Sequence, residues 1–319
     1  MTLEGLHGRR LVVTAGAGFI GARIVRRATE GGARVTVLSR TPSNRGRIAD
    51  LAEVEVVDCD VLDDAAVRAA MTLARPDVVI HAAGLPDWRR EPTLAPSMVR
   101  LHALGTTHVL EAARLAGAAR VVVVGSAGEY GDAEGPLSEE RRAQPVDPYS
   151  VSKLAATEIA LAYDRAFGLP CTVVRPFVVY GPGEPENRLL STVFRRSLAG
   201  GGPTDFTRGE QVRDFVFVDD VAEGALRAAE ASKAAGRVLN LGTGVGTRVR
   251  DAVALAIEVA GCRVEPVFGA LPYRPGEPAS LLADTTLCSS TLGWSPSTPL
   301  ARGLALAYAD LVRRRAGST

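Results

Sequence analysis

What the chain does not contain narrows its chemistry first. No apolar run approaches the ~18 residues that a membrane-spanning helix needs, so no helical membrane span is expected. Arg9-Arg10 ahead of Leu11-Val12-Val13 resembles a signal start, but Gly16 and Gly18 break it at once, and a cytoplasmic chain is the expectation. Neither sign of charge is in excess: 37 Lys and Arg against 36 Asp and Glu leave a formal +1. With no global field, neither nucleic acid nor an anionic membrane is expected as a partner, and an anionic ligand has to be held by a few placed arginines. The four cysteines, Cys59, Cys171, Cys262 and Cys288, form no C-x-x-C pair and have no histidine cluster beside them. That argues against a zinc site or a disulfide frame and suits reduced thiols, with no structural metal. Repeats and low-complexity linkers are also missing. What remains is 319 residues, 46% hydrophobic, enough to bury one large core or two unequal ones.

The organised part begins with a short apolar strand, Arg10 to Thr14, a glycine turn, Ala15-Gly16-Ala17-Gly18-Phe19-Ile20-Gly21, and a helical run from Ala22 to Glu30. Strand, glycine turn and helix in that order place a diphosphate on a helix N-terminus, where free backbone N–H groups and the dipole favour anions. Gly16, Gly18, Phe19, Ile20 and Gly21 are therefore candidate cofactor contacts. The second strand ends at Ser39-Arg40, about twenty residues on, where a carboxylate would bind an NAD ribose 2′-hydroxyl. None is present. Ser39 and Arg40, with Arg45 nearby, suit a 2′-phosphate instead, so NADP(H) is favoured and NAD(H) is the alternative. Further strands at Val54–Val57, Pro76–His81 and Arg120–Gly125 alternate with helical stretches at Asp64–Leu73 and Met98–Ala116, which predicts a Rossmann-like, doubly wound parallel sheet with ligands at its carboxyl ends. Ala82 and Ala83, after the fourth strand, are small enough for a cofactor to lie against backbone. His81 reads as a packed strand-end histidine rather than a catalyst.

Pro148 disfavours helix at the residue before it, and the run from Ser150 to Phe167, free of Gly and Pro, reads as a helix. Tyr149 then stands at the helix start, with Lys153 one turn along on the same face. A phenol with pKa near ~10 is a poor acid-base group at neutral pH, and a neighbouring cation would pull it toward the working range. Ser126 stands at the carboxyl end of the Arg120–Gly125 strand, from where a hydroxyl can face that helix.

The glycine turn, Asp60-Val61, His81-Ala82-Ala83, Ser126, and Tyr149 with Lys153 resemble the extended short-chain dehydrogenase/reductase family of nucleotide-sugar epimerases, dehydratases and ketoreductases. The likeness continues through Arg175 to Gly183, Arg213 to Val221, Asn240 to Gly244 and Arg274 to Pro278, in order along nearly the whole chain. It implies Tyr149 as acid-base, Lys153 on the nicotinamide ribose, Ser126 on the reacting oxygen, and Asp60 and Val61 on the adenine. It further implies Arg213 and Arg274 on the diphosphate of a nucleoside-diphosphate sugar, Phe206 beside its base, and a homodimer.

Three departures qualify the likeness. His102 stands where the family has Asn in its N-x-x-G-T pattern, and Val178 replaces a second usual Asn. Ala127-Gly128 occupy the places of the Asp-Glu pair that dehydratases carry after the catalytic hydroxyl, which argues against dehydration. The expectation is a 4-ketoreductase of a nucleoside-diphosphate 4-keto-6-deoxyhexose. The alternatives are a 4-epimerase with tightly held NAD(H) and a non-catalytic dinucleotide sensor. Residues 1–175 and 213–246 are expected to form the dinucleotide domain, residues 176–212 and 247–319 a smaller α/β substrate domain, and the tail from Arg313 to fray.

Overall fold

The computed structural model describes residues 4–40, 45–261 and 263–316. Fourteen strands run in chain order: β1 Arg10–Thr14, β2 Arg34–Ser39, β3 Glu55–Asp58, β4 Val78–His81, β5 Arg120–Val124, β6 Pro136–Leu137, β7 Cys171–Pro176, β8 Val178–Tyr180, β9 Gly202–Phe206, β10 Val212–Phe217, β11 Arg237–Leu241, β12 Gly246–Arg248, β13 Val264–Phe268 and β14 Ser280–Ala283. The helices are α1 Phe19–Glu30, α2 Asp64–Ala74, α3 Ala95–Val99, α4 Gly105–Leu115, α5 Pro148–Phe167, α6 Leu189–Leu198, α7 Val218–Glu230, α8 Val249–Ala260, α9 Thr286–Leu292 and α10 Leu300–Ala316.

Seven strands form one parallel sheet in the order β11-β7-β5-β4-β1-β2-β3. Strand periodicity explains why both faces need helices. Leu11 and Val13 enter one core with Ile80, Val122 and Val124, packed under α1 and α7, whereas Val12, Val79, Val121 and Val123 enter a second core under α2, α4 and α5. Each strand is apolar on both sides, so either face left bare would expose a continuous Val/Ile surface. The predicted doubly wound parallel sheet is the fold observed.

Strand order reverses between β1 and β4, and all seven carboxyl ends share one edge, so a crevice opens there. Thr14 and His81, the last residues of those two strands, close it from below. Thr14 Oγ1 accepts from Ala82 N and Ala83 N at 3.1 and 3.2 Å and lies 2.8 Å from His81 Nδ1. Having accepted twice, the hydroxyl donates to Nδ1, so His81 carries its proton on Nε2 and gives it to Thr106 Oγ1 at 3.1 Å. His81 is a buried connector between elements, as its position suggested.

The smaller unit is built on a second sheet, β12-β10-β14-β6 with β8 beside β10, and a parallel β13-β9 pair, covered by α6, α8 and α10. Its own core gathers Tyr180, Phe194, Phe206, Phe215, Phe217, Val253 and Leu304. One expected boundary shifts. The segment from Val212 to Phe217 pairs with β8, β12 and β14 rather than joining the large sheet, and the return comes one element later, with α7 against α1 and β11 against β7. Phe215 and Phe217 belong to the aromatic core of the smaller unit, which is why β10 stays there.

The expected fraying from Arg313 is also corrected, since α10 continues to Ala316; residues 317–319 and Cys262 lie outside the described residues. Cys59, Cys171 and Cys288 are buried free thiols, and burial pushes the first up to about 11 and the other two to about 12. Among the described residues no helix is long and apolar enough to cross a membrane, and no cluster of His, Cys, Asp or Glu could hold a metal.

Candidate active site

Helix α1 begins at Phe19 with Gly18 as N-cap, and no side chain caps it. The first N–H groups of a helix have no acceptor within it, so those of Phe19, Ile20 and Gly21 are open to an anion, and the residues present fit a dinucleotide diphosphate. Gly21 has no room for a side chain, because a β-carbon there would run into the Ala15 carbonyl. Ala15, where the family pattern has glycine, is held at φ 51°, a left-handed conformation that costs an L-residue roughly 1–2 kcal/mol. Ala15→Gly is therefore expected to raise unfolding stability by about 0.5–1 kcal/mol after the extra chain entropy of glycine is subtracted, read as a higher urea midpoint at unchanged slope.

At the end of β2, Arg40 is exposed and able to meet a ribose substituent. Arg45 is not available for that role, because its Nη2 donates to the carbonyls of Leu51 and Val54. Asp60 Oδ1 accepts from Leu62 N, fixing the turn after β3, and Val61 is buried beside Gly105.

The geometry of α5 follows from its cap. Asp147 Oδ1 accepts from Ser150 N at 2.9 Å and Oδ2 from Ser150 Oγ at 2.8 Å, and Pro148 occupies the first turn where no N–H is needed. Tyr149 and Lys153 thereby face the carboxyl end of β5. The Ser126 hydroxyl acts on the Tyr149 phenol, favouring its ionised form against burial, and Lys153 Nζ donates to Val124 O at 2.8 Å. Sequence reasoning brought these three residues together, and the fold does so too.

Ser126 is itself fixed from behind by a buried ion pair. Its N–H donates to Glu129 Oε1 at 2.8 Å; Glu129 Oε2 accepts from Thr157 Oγ1 and from Arg175, whose guanidinium lies 4.7 Å from the centre of the Tyr130 ring. No spacing in the sequence pointed to that support.

The electrostatics differ from expectation in one respect. Burial pushes the Tyr149 phenol up to about 12, opposed by the hydrogen bond from Ser126 and by the positive charge of Arg188. The cation acting on the phenol is thus Arg188 rather than Lys153, whose ammonium is committed to Val124 O and is itself lowered to about 8 by burial. Arg188 stacks 4.4 Å above Trp88, and Trp88 meets Tyr149 edge to face at 5.3 Å. Glu184 nearby, raised to about 7 by burial, hydrogen-bonds Ser191. Arg188 and Trp88 are a hundred residues apart, and only the tertiary structure joins them.

The expected diphosphate arginines do converge, but around a carboxylate. Arg213 Nη2 pairs with Glu277 Oε1 at 2.9 Å, Arg274 Nε approaches Glu277 Oε2 at 3.7 Å, and Arg213 Nη1 donates to the carbonyls of Val212 and Pro278. Arg213 is buried and Arg274 open. Phe206 is not open to a base; it is buried in the core of the smaller unit, 5.8 Å from Phe268.

Comparison with known proteins fits this arrangement. The profile of the NAD dependent epimerase/dehydratase family matches residues 11–242. A UDP-glucose 4-epimerase of Mycolicibacterium smegmatis is 33% identical over 93% of this chain and 96% of its own, and a dTDP-glucose 4,6-dehydratase of Streptomyces niveus is 31% identical over 92% and 90%. The solved structure of MoeE5 with UDP-glucuronic acid and NAD superposes with a TM-score of 0.86 at 32% identity, covering 95% of this chain and 99% of that one. With Ser126, Tyr149 and Lys153 gathered at the carboxyl edge of a doubly wound sheet, the chain belongs to the NAD-dependent epimerase/dehydratase family of nucleotide-sugar enzymes.

Proposed function

We propose that this protein is a UDP-sugar 4-epimerase working with tightly held NAD, and that the structure around Gly128 carries the choice among the family's reactions. Dehydration needs an acid pair after the catalytic hydroxyl, and here Ala127 and Gly128 stand in those places. A β-carbon on Gly128 would come 2.5 Å from Ser150 Oγ, which the Asp147 cap holds in place. A glutamate at that position would therefore have to displace the Ser150 hydroxyl from its cap. The similarity to UDP-glucose 4-epimerase, and to a structure holding UDP-glucuronic acid and NAD, supports the same reading.

Bound NAD supplies a hydride acceptor and, in the oxidised form, a positive ring. Tyr149 takes the proton from the sugar 4-hydroxyl and later returns it, Ser126 holds that oxygen, and Lys153 orients the cofactor ribose. Gly16, Gly18, Phe19, Ile20 and Gly21 receive the cofactor diphosphate, with Ala82 and Ala83 beside it. Asp60 and Val61 flank the adenine. The smaller unit receives the nucleoside diphosphate through Arg274, and through Arg213 once Glu277 yields. We read the protein as a cytoplasmic homodimer.

The test is to extract the nucleotide from purified protein and incubate the protein, without added cofactor, with UDP-glucose and UDP-glucuronic acid. Bound NAD and formation of either 4-epimer are expected. A second reading, NADPH-dependent reduction of a nucleoside-diphosphate 4-keto-6-deoxyhexose, is favoured by Ser39 and Arg40, where no carboxylate stands at the end of β2. An empty protein that consumes NADPH with such a ketone, and loses its preference for NADP in Arg40→Ala, would replace the epimerase reading.

A further inference from the structure

The helix preceding β5 contains a wider turn. Between α3 and α4, residues Arg100–Leu104 form a π-helical turn, an insertion that re-aims a side chain and tends to persist at functional sites. The side chain re-aimed here is His102, which is fully buried and meets the Tyr149 ring edge to face at 5.4 Å. It stands where the family resemblance leads one to expect asparagine.

The hydrogen bonds around His102 fix its protonation by counting. Leu85 N points at Nε2 from 3.2 Å, and an amide N–H can only donate, so Nε2 holds a lone pair. The proton therefore sits on Nδ1 and is given to Ser152 Oγ at 2.7 Å, while Ser152 spends its own proton on Tyr149 O, also at 2.7 Å. The opposite tautomer would set Nε2–H against the Leu85 N–H. Burial and the neighbouring Lys153 push the imidazole down to about 2, so it stays neutral. The backbone around it is equally constrained. Thr106 Oγ1 donates to the His102 carbonyl and joins the chain through His81 to Thr14. A β-carbon on Gly84 would come 3.0 Å from Lys153 Nζ and 3.3 Å from His102 Nε2, so the turn after β4, the lysine tip and the imidazole all meet at that glycine.

We propose that His102 is a positioning residue: a neutral imidazole in its Nδ1–H form that clamps the turn Ala82–Leu85 to the first turn of α5, setting Tyr149 and Lys153 against the cofactor side of the crevice. An asparagine offers the same pair of functions, a carbonyl to accept from Leu85 N and an amide to donate to Ser152, whereas an apolar residue offers neither. The consequence for turnover rests on the epimerase reading; the tautomer does not.

The experiment compares the wild-type chain with His102→Leu and His102→Asn, and follows the imidazole nitrogens of uniformly 15N-labelled wild-type protein, assigned by the signal missing in His102→Asn. His102→Leu is expected to keep its bound nucleotide and KM while kcat falls ~10–10²-fold, the scale of a small misplacement of reacting groups. His102→Asn should stay within a few-fold of wild type. The His102 nitrogens should show a protonated Nδ1 and an accepting Nε2, unchanged from pH 8 to pH 5.5. Three results overturn the proposal: His102→Leu with near-normal kcat, His102→Asn no better than His102→Leu, or the proton on Nε2. If His102→Leu does not fold, the asparagine variant and the nitrogen shifts decide. If the wild type turns over no nucleotide sugar, the epimerase reading fails alone and the shifts still decide the clamp.

Discussion

Replacing Tyr149 by phenylalanine is expected to cut kcat by ~10²–10⁴-fold, the range for loss of a positioned general acid-base, while dinucleotide binding stays near wild type. The separation follows from what the substitution deletes. Only the hydroxyl goes, whereas the ring keeps its contacts with Trp88 and His102. Nothing at the N-terminus of α1 is touched. Burial pushes the phenol up to about 12, outweighing Ser126 and Arg188. Removing its proton at neutral pH thus needs positive charge brought close, and kcat is expected to rise with pH on the alkaline side as the phenol ionises. Arg188→Ala should push this limb to higher pH. Rates for Tyr149→Phe within a few-fold of wild type on a UDP-sugar would sink the assignment of the acid-base. An unmoved limb in Arg188→Ala would show that the arginine does not act on the phenol.

The parts of the site legible in the sequence are those whose spacing is local. Tyr149 and Lys153 sit one helical turn apart, the glycines of residues 16–21 lie in one strand-turn-helix unit, and Ser126 ends a Val-rich strand, so local spacing marks them and the family resemblance supplies their roles. The residues that were not legible act through contacts far apart in the chain. Arg188 reaches Tyr149 across Trp88, and Arg175 reaches Ser126 through Glu129. The same limit hides what surrounds residues that are legible one by one. The neighbours of Arg213 in sequence suggest a phosphate ligand, and the carboxylate that pairs with it in the fold comes from 64 positions away. Lys153 lies one turn from Tyr149, but its ammonium donates to the Val124 carbonyl at the end of β5, a partner 29 positions away. In the sequence His102 is only a departure from a pattern; its partners Leu85 and Ser152 lie 17 and 50 positions away.

The largest effect on stability is expected at the Glu129–Arg175 pair. Arg175 Nη2 lies 2.8 Å from Glu129 Oε2 with both side chains buried, and the carboxylate also accepts from Ser126 N and Thr157 Oγ1. Removing a charge from water costs several kcal/mol, recovered only while each ion has its partner. Arg175→Met fills similar volume but strands the Glu129 carboxylate, so it should lower unfolding stability by about 3–5 kcal/mol, with a further loss from the Tyr130 ring that the guanidinium covers. The double variant Glu129→Leu/Arg175→Met removes both charges and should regain most of that loss, because apolar groups of similar volume replace a buried pair at little net cost. It should not regain activity, since Ser126 N loses the acceptor that fixes the catalytic hydroxyl opposite Tyr149. Urea unfolding of the two single variants and the double variant gives the coupling free energy directly, and kcat on the same preparations gives the catalytic share. A double variant no more stable than Arg175→Met would mean that the loss comes from packing rather than from an unpaired buried charge. One that recovers both stability and kcat would show that Ser126 needs no support from Glu129.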